Sequence, residues 1–360
     1  MMEEPYEEAL RALRVMFEDR LRRRLLIRKS EPNTEGTISF VLPTSVEEVE
    51  VLSEVAQRYS IPLVAQGAGT ARDLGSEKGS LLVRFDLMRR TQLPADFEEP
   101  WVETEPGTLW LELDNNLHAR GMGLAVYPTS APRTTIGGWL AMDGLGVGSF
   151  EYGWLRENVL SADVVLPGGE RREVRGEELH SFVGPGGRAG IIVGARLRTR
   201  RSQGDLLFGF AFEDREDLLA SVAELVRADV PFWHLAFLNQ EMASARSLGG
   251  DHLLFGAYPG ERAGQVVTGL QDVLGHHRRR VLPPAELYRV WGQRFFPVAP
   301  SHPTPSAVRE FVAVVELPEV LGEAGARLEH IALQGIVART GEVLLLTFDT
   351  REEGWAGAWS

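Results

Sequence analysis

Two glycine-rich stretches, far apart in sequence, constrain what this chain can fold into more than any other feature. The first is Pro62-Leu63-Val64-Ala65-Gln66-Gly67-Ala68-Gly69-Thr70. The second runs from Tyr127-Pro128-Thr129-Ser130 through Thr135-Ile136-Gly137-Gly138 to Gly148-Ser149-Phe150-Glu151-Tyr152-Gly153. Glycine admits positive φ and lets a backbone approach a neighbour closely. Successive backbone N–H groups in a turn form a concave anion site. One such loop suffices for a phosphate. Two, set among strands, point to a long ligand with a diphosphate in its middle.

A chain of 360 residues can bury two cores, so two domains are expected. The net charge of −13 argues against general nucleic-acid binding, which needs a basic face. The basic clusters Arg20–Arg24 and Arg278–Arg280 read as solvated surface. Cysteine is absent, which excludes disulfides, thiolate metal sites, iron–sulfur clusters and cysteine nucleophiles. No apolar run is long enough to span a bilayer, and the opening MMEEPYEEAL lacks a signal-peptide pattern. A cytoplasmic location is the expectation.

Leu10, Leu13, Phe17, Leu21 and Leu25 recur at helical spacing and predict an amphipathic N-terminal helix over residues 1–30. Ser45 followed by Glu48 predicts a capping box for a helix through Tyr59. Ile61–Ala65, Leu81–Phe85, Trp101–Thr104 and Val159–Leu166 read as strands. Leu109–Arg120 reads as a helix stopped by Gly121. The polar stretch Arg198–Gly204 separates residues 31–200 from residues 201–360. Beyond it, strands at Leu206–Phe212, Phe232–Leu238 and His252–Tyr258 alternate with helices at Asp217–Arg227 and Arg262–Leu274. That order predicts a ferredoxin-like α+β layer. Phe311–Val315, His330–Ala338 and Val343–Phe348 read as further strands.

A strand leading into Gly-x-Gly first suggests a dinucleotide fingerprint, which needs a third glycine at a helix start. Gly67-Ala68-Gly69-Thr70-Ala71-Arg72 lacks it. No P-loop, zinc-protease or nucleophile-elbow motif is present. The order of elements around the loop instead resembles the flavoproteins with an FAD-binding domain of the vanillyl-alcohol-oxidase or p-cresol-methylhydroxylase (PCMH) type. The carrying residues are Pro43-Thr44-Ser45-Val46-Glu47-Glu48-Val49, Pro62 to Thr70, Glu105-Pro106-Gly107, Pro128-Thr129-Ser130 and Thr135-Ile136-Gly137-Gly138. They continue with Gly148-Ser149, Tyr152-Gly153, Arg156-Glu157-Asn158-Val159, Val164 to Gly169, and Gly184-Pro185-Gly186-Gly187 with Gly190-Ile191-Ile192. Within the family the chain looks like the FAD subunits of glycolate and D-lactate dehydrogenases, including the accessory FAD subunit of bacterial glycolate oxidase.

The resemblance implies an α+β fold, with a two-subdomain PCMH-type FAD-binding domain over residues 31–200 and a ferredoxin-like cap or substrate domain over residues 201–360. It implies that Gln66, Gly67, Ala68, Gly69, Thr70 and Ala71 wrap the FAD diphosphate with backbone N–H groups. Pro128, Thr129, Ser130, Thr134, Thr135, Gly137 and Gly138 would lie along the flavin and diphosphate, continued by Ala141, Gly144, Gly148 and Ser149. Tyr152 and Gly153 would shape the ribityl side, and Ile191 would meet the adenine end. Some relatives tether FAD through a histidine in the first glycine loop. Thr70 and no histidine stands there, so FAD is expected to be non-covalent. Pro185-Gly186 departs from the Ser-Glu common in relatives.

The implied activity is oxidation of a small 2-hydroxy acid by hydride transfer to flavin, with electrons passed to a carrier or partner subunit. Such chemistry needs a cation for the carboxylate and a base for the hydroxyl proton. Arg133, Trp291, Arg294, His302 and His330 are the candidates, though no spacing ties them together. No metal site is expected, and His276-His277 beside three arginines reads as a loop. An alternative is a flavin-binding accessory subunit without its own catalysis. A third, UDP-N-acetylmuramate dehydrogenase, shares the FAD fold, but Thr70 is followed by Ala71-Arg72 where that enzyme carries Gly-Ser/Thr-Asn after the glycine pair.

Overall fold

The protein is described by a computed structural model over residues 3–29, 39–69, 80–93, 100–202, 204–295, 307–323, 330–351 and 355. The chain divides into two units. The first holds Met1–Asn115, Arg133–Asp143 and Val159–Thr199; the second holds Asn116–Pro132, Gly144–Asn158 and Arg200–Ser360.

In the first unit, Ala9, Leu13 and Phe17 repeat every four residues along the helix Glu3–Asp19 and are fully buried. They share a core with Val49, Leu52 and Val55 of the helix Val46–Arg58. Each such buried side chain stabilises the fold by about 1.5–3 kcal/mol. Beside these helices lies a four-stranded sheet in the order Ile27–Lys29, Ser39–Val41, Leu81–Arg84, Leu63–Gln66. Its inner pairings are parallel, with Phe40 opposite Leu82 and Val64 opposite Leu82. Leu81, Leu82 and Val83 are all buried, which is why this strand is apolar without alternation. A second, antiparallel sheet runs Thr91–Gln92, Trp101–Thr104, Ile191–Arg201, Val159–Val165, Arg171–Val174.

The expected capping box is shifted by one residue. Ser45 is extended (φ −152°) and its side chain makes no cap bond. Glu48 instead accepts from the Thr44 backbone N–H at 2.6 Å, from Thr44 Oγ1 at 2.9 Å and from Arg23 Nη1 at 3.2 Å. The buried carboxylate turns to where three donors converge, which offsets its desolvation better than one cap N–H.

The second unit is built on a seven-stranded antiparallel sheet. Its order is Arg280–Val281, Asp205–Phe212, His252–Pro259, His234–Leu238, Ile331–Val337, Glu342–Asp349, Val308–Ala313. Three of the first four strands, with the helices Arg215–Arg227 and Ala263–Leu274, follow the expected βαββα order, and the short strand Arg280–Val281, not expected from the sequence, pairs onto Asp205–Phe212. Strand alternation gives the sheet two buried faces. Leu235 and Phe237 face the helices and pack with Val222, Leu225, Val266 and Leu270. Ala236 and Leu238 face the other way and pack with Met242, Phe255 and Val290.

The strand expected at Phe311–Val315 lies at Val308–Ala313, and Val314–Glu316 is a short 3-10 turn. The Ala313 N–H donates to Glu316 Oε2 at 3.1 Å, which turns the chain out of the sheet there. Among the described residues, no helix is long and apolar enough to cross a membrane.

Candidate functional site

The first glycine stretch continues a parallel strand. Leu63–Gln66 pairs along Leu81–Arg84 and ends at Gly67. Gly69 has φ +72°, the left-handed region that glycine takes without strain. Thr70 and Ala71 lie outside the described residues.

What the loop meets is the start of the helix Ile136–Met142. A Cβ on Gly67 would fall 2.8 Å from Thr135 Oγ1 and 3.1 Å from the Gly138 Cα. Neither distance leaves room for a side chain, so the two glycine segments are in backbone contact. Thr135 Oγ1 is itself fixed, accepting from the Gly138 N–H at 3.2 Å as the helix N-cap. The Thr135 carbonyl accepts from Trp110 Nε1 at 3.1 Å, and Trp110 meets Trp139 edge-on.

The remaining motifs of this unit lock the same helix. The Gly137 N–H donates to the Pro106 carbonyl at 2.9 Å, and a Cβ there would lie 2.8 Å from Pro106 Cβ. The Gly184 N–H donates to Leu140 O at 3.0 Å and the Gly186 N–H to Ala141 O at 2.7 Å. The carbonyls a helix end leaves unpaired are thereby satisfied by the closing glycine segment, despite its Pro185-Gly186 departure. Ile191 opens the long strand opposite Val165 and is buried. Thr134 is buried; Ala141 and Arg133 are half-buried. The expected residues Gly67, Thr135, Gly137 and Gly138 are brought together, joined by Ala141 at the helix end.

The second unit holds the other expected flavin-wall residues. Pro128, Thr129, Gly144, Gly148 and Ser149 are buried, and Ser130, Tyr152 and Gly153 are half-buried. Gly148 has φ +95°, and a Cβ on it would collide with the Ala125 carbonyl and lie 2.6 Å from Trp233 Nε1. It is held beneath the Trp233 Nε1 bond to Ala125 O, 3.0 Å long. Ser149 Oγ accepts from the Gly146 N–H at 2.8 Å. Asn158 Nδ2 donates to the carbonyls of Tyr152 (2.7 Å) and Trp154 (2.8 Å), fixing the turn that follows.

Around this segment stands a cationic and aromatic group that sequence reasoning only partly found. Arg294 donates from Nε and Nη2 to Tyr127 Oη at 3.2 and 3.1 Å, and its guanidinium lies over the rings of Phe295 and Trp291. Arg200 stacks over Trp233 at 3.5 Å from the ring centre and pairs with Asp205. His234 is fully buried beside Trp291, and its Nδ1 accepts from the Gly148 N–H at 3.4 Å. Burial, with Arg294 adding to it, pushes its imidazole down to about 3. Arg246, also buried, donates to the Gln293 carbonyl and to Gln334 Oε1 at 2.8 Å, and burial lowers it to about 9. Gln334 in turn donates to the Arg294 carbonyl at 3.0 Å.

Arg294 and Trp291 are thus brought together with Tyr127. His330 lies exposed before the strand Ile331–Val337, next to Asp349 in charge, and His302 lies outside the described residues. Trp233, His234, Arg246 and Gln334 were missed. His234 and Gln334 carry one sequence signal, polarity at inward-facing positions of the strands His234–Leu238 and Ile331–Val337, whereas Trp233 and Arg246 lie outside the strands and carry none.

Residues 38–175 match the family described as FAD binding domain. The chain is 29% identical over 57% of its length to a probable mitochondrial D-lactate dehydrogenase of Danio rerio, of which it covers 44%. It is 27% identical over 56% of its length to a D-lactate dehydrogenase of Archaeoglobus fulgidus, covering 47% of that protein. It is 25% identical over 56% of its length to the glycolate oxidase subunit GlcD of Bacillus subtilis, covering 45%. The chain therefore spans less than half the length of these relatives. Among solved structures it resembles an alkyldihydroxyacetonephosphate synthase (TM-score 0.69, 20% identity, 89% of this chain and 69% of that one). It likewise resembles p-cresol methylhydroxylase (TM-score 0.66, 14% identity, 89% and 76%). These likenesses show the fold.

Proposed function

We propose that this chain, whose residues 38–175 match the FAD binding domain family, is an FAD-dependent oxidoreductase acting on the CH–OH group of a small 2-hydroxy acid, of the glycolate or D-lactate kind. We assign residues 31–200 to cofactor binding and residues 201–360 to the cap and substrate side. The observation that carries the cofactor assignment is the close approach of Gly67 to the Thr135 hydroxyl and the Gly138 backbone, a cradle that a single Cβ would fill. A dianionic diphosphate is held by backbone N–H groups in such close loops. Bound FAD supplies the hydride acceptor.

The chain's own residues do the rest. Arg294, gathered among Tyr127, Trp291 and Phe295, is the cation we assign to the substrate carboxylate, since a guanidinium offers two parallel N–H donors. His234 stays neutral, and its Nδ1 is taken by the Gly148 N–H; we give it a positioning role for the Gly148 backbone. Electrons pass on to a carrier or a partner subunit.

The test is anaerobic mixing of the FAD-loaded chain with D-lactate, L-lactate and glycolate. Bleaching of the flavin's visible absorbance by one of them is the expected result. Protein that takes up no FAD overturns the cofactor assignment, and loaded protein that none of the acids bleaches overturns the substrate class. A non-catalytic accessory subunit is the second reading. It is favoured by the exposure of His330 and by the engagement of Arg294 with Tyr127. Turnover of the isolated chain with a dye acceptor excludes it.

A further inference from the structure

The loop that follows the helix Ala263–Leu274 carries His276 and His277, and the function above makes no use of them. The His277 N–H donates back to the Leu274 carbonyl at 3.3 Å, a tight turn that sets the two imidazoles side by side, ring centres 4.3 Å apart. Facing them is the helix Arg215–Arg227. Its Asp217 and Glu224 are seven residues apart, two turns along one face. Glu224 Oε2 lies 3.2 Å from His276 Nε2 and 3.2 Å from His277 Nε2. All three donor atoms fall within 4.8 Å of one another, and among the described residues this is the one such grouping of histidines and acids.

We propose that Glu224, His276 and His277 form a binding site for a divalent transition cation of the zinc class, which ties the end of one helix to the loop after the other. Zinc bound by imidazole nitrogen and carboxylate oxygen at about 2.0–2.2 Å, in tetrahedral geometry, places its donors about 3.3 Å apart. Two of the three edges of this triangle already have nearly that length. Two nitrogens and one oxygen form a borderline-soft set that selects zinc, cobalt or nickel over magnesium or calcium, which take oxygen. The fourth position falls to water.

A further contact supports the assignment. Asp217 Oδ1 lies 3.3 Å from His277 Nδ1. A carboxylate on that nitrogen holds its proton and leaves Nε2 as the lone-pair donor, the arrangement found behind metal-bound histidines. His277 is nearly buried while His276 is 61% exposed, so one ligand is anchored and the other can swing onto an arriving ion. With no cysteine in the chain, no thiolate competes for the metal.

The test uses the FAD-loaded chain after chelator treatment, titrated with Zn2+ alone by calorimetry and followed by thermal unfolding. One Zn2+ per chain at micromolar Kd is expected, with a rise in melting temperature of about 5 °C at a hundredfold excess over Kd. Flavin absorbance should not change. His276→Gln is the decisive variant, because so exposed a side chain is replaced without loss of fold; it should weaken binding at least 30-fold. Asp217→Asn should weaken it about tenfold. Binding no tighter than millimolar, equal binding by His276→Gln, or displacement of Zn2+ by equimolar Mg2+ would each overturn the site. Unchanged affinity in Asp217→Asn would remove the orienting role given to that carboxylate.

Discussion

Gly67 and Gly138 pack so closely that a Cβ on the first would lie 3.1 Å from the Cα of the second, with Thr135 Oγ1 nearer still at 2.8 Å. The contact joins the end of a parallel strand to the first turn of a helix, two segments that the chain brings together from far apart. Gly67→Ala must push Thr135 off its bond to the Gly138 N–H, at an overpacking cost of about 1–3 kcal/mol. Because that cost falls on the cofactor cradle, FAD affinity should fall about tenfold to a hundredfold. Gly264→Ala, whose Cβ meets open space in a helix, serves as the control and should leave FAD binding unchanged. Titration of the stripped proteins with FAD, followed by flavin fluorescence, measures both.

Arg294 is the residue on which the proposed substrate class depends. Its two bonds to Tyr127 Oη and its stacking on Trp291 and Phe295 fix a planar fork that lysine cannot copy. Arg294→Met should keep its FAD and lose about a hundredfold in kcat/KM, roughly 2.7 kcal/mol of binding to the acid's carboxylate. Arg294→Lys should recover only part of this. Steady-state kinetics with flavin content measured in parallel gives the answer. An Arg294→Met variant with wild-type kcat/KM would remove the assignment.

Burial of His234 makes stability depend on pH. Its folded pKa, about 3, lies below the ordinary 6.5, so protons bind the unfolded chain first. The stabilisation is fully present above pH 6.5 and is lost as the pH falls toward 3, at up to about 1.4 kcal/mol per pH unit. His252, lowered by burial and then by Arg215, acts in the same direction. His234→Asn keeps an acceptor for the Gly148 N–H but cannot titrate. Urea midpoints measured between pH 4.5 and 7.5 should therefore fall less steeply in the variant than in the parent chain.

Arg246 is a buried cation with neutral acceptors, the Gln293 carbonyl and Gln334 Oε1. Gln334→Leu removes one neutral acceptor of this buried guanidinium, which should cost about 1.5–3 kcal/mol. Replacing both residues, Arg246→Met with Gln334→Leu, removes the charge as well. The double variant should be more stable than Gln334→Leu alone, and a double-mutant cycle in urea gives the coupling. Additive losses would show that the two side chains do not act as a pair.

Much of the architecture was legible because it rests on local patterns. Leu13 and Phe17 and the βαββα order that ends at Leu274 follow from periodicity alone, whereas the N-terminal helix stops at Asp19, short of Leu21 and Leu25, and buries Ala9 more fully than Leu10. The glycine motifs were legible as a set, since their order survives where each single motif is loose. Contacts that pair distant residues were not legible. Arg246 and Gln334 are 88 positions apart and neither is remarkable alone. His276 and His277 gave no spacing pattern, because their third partner, Glu224, comes from another helix. Ser45 and Glu48 matched a local rule, yet Thr44 and Arg23 outcompeted the cap.

The division of the chain into units has a consequence for anyone who would take the protein apart. The chain passes from one unit to the other after Asn115, Pro132, Asp143, Asn158 and Thr199. A cut near residue 200 would strip the second unit of residues 116–132 and 144–158, and with them Tyr127 and Gly148. Neither unit can be produced as a single uninterrupted segment. Exchange of one unit between relatives would need several splice points chosen together.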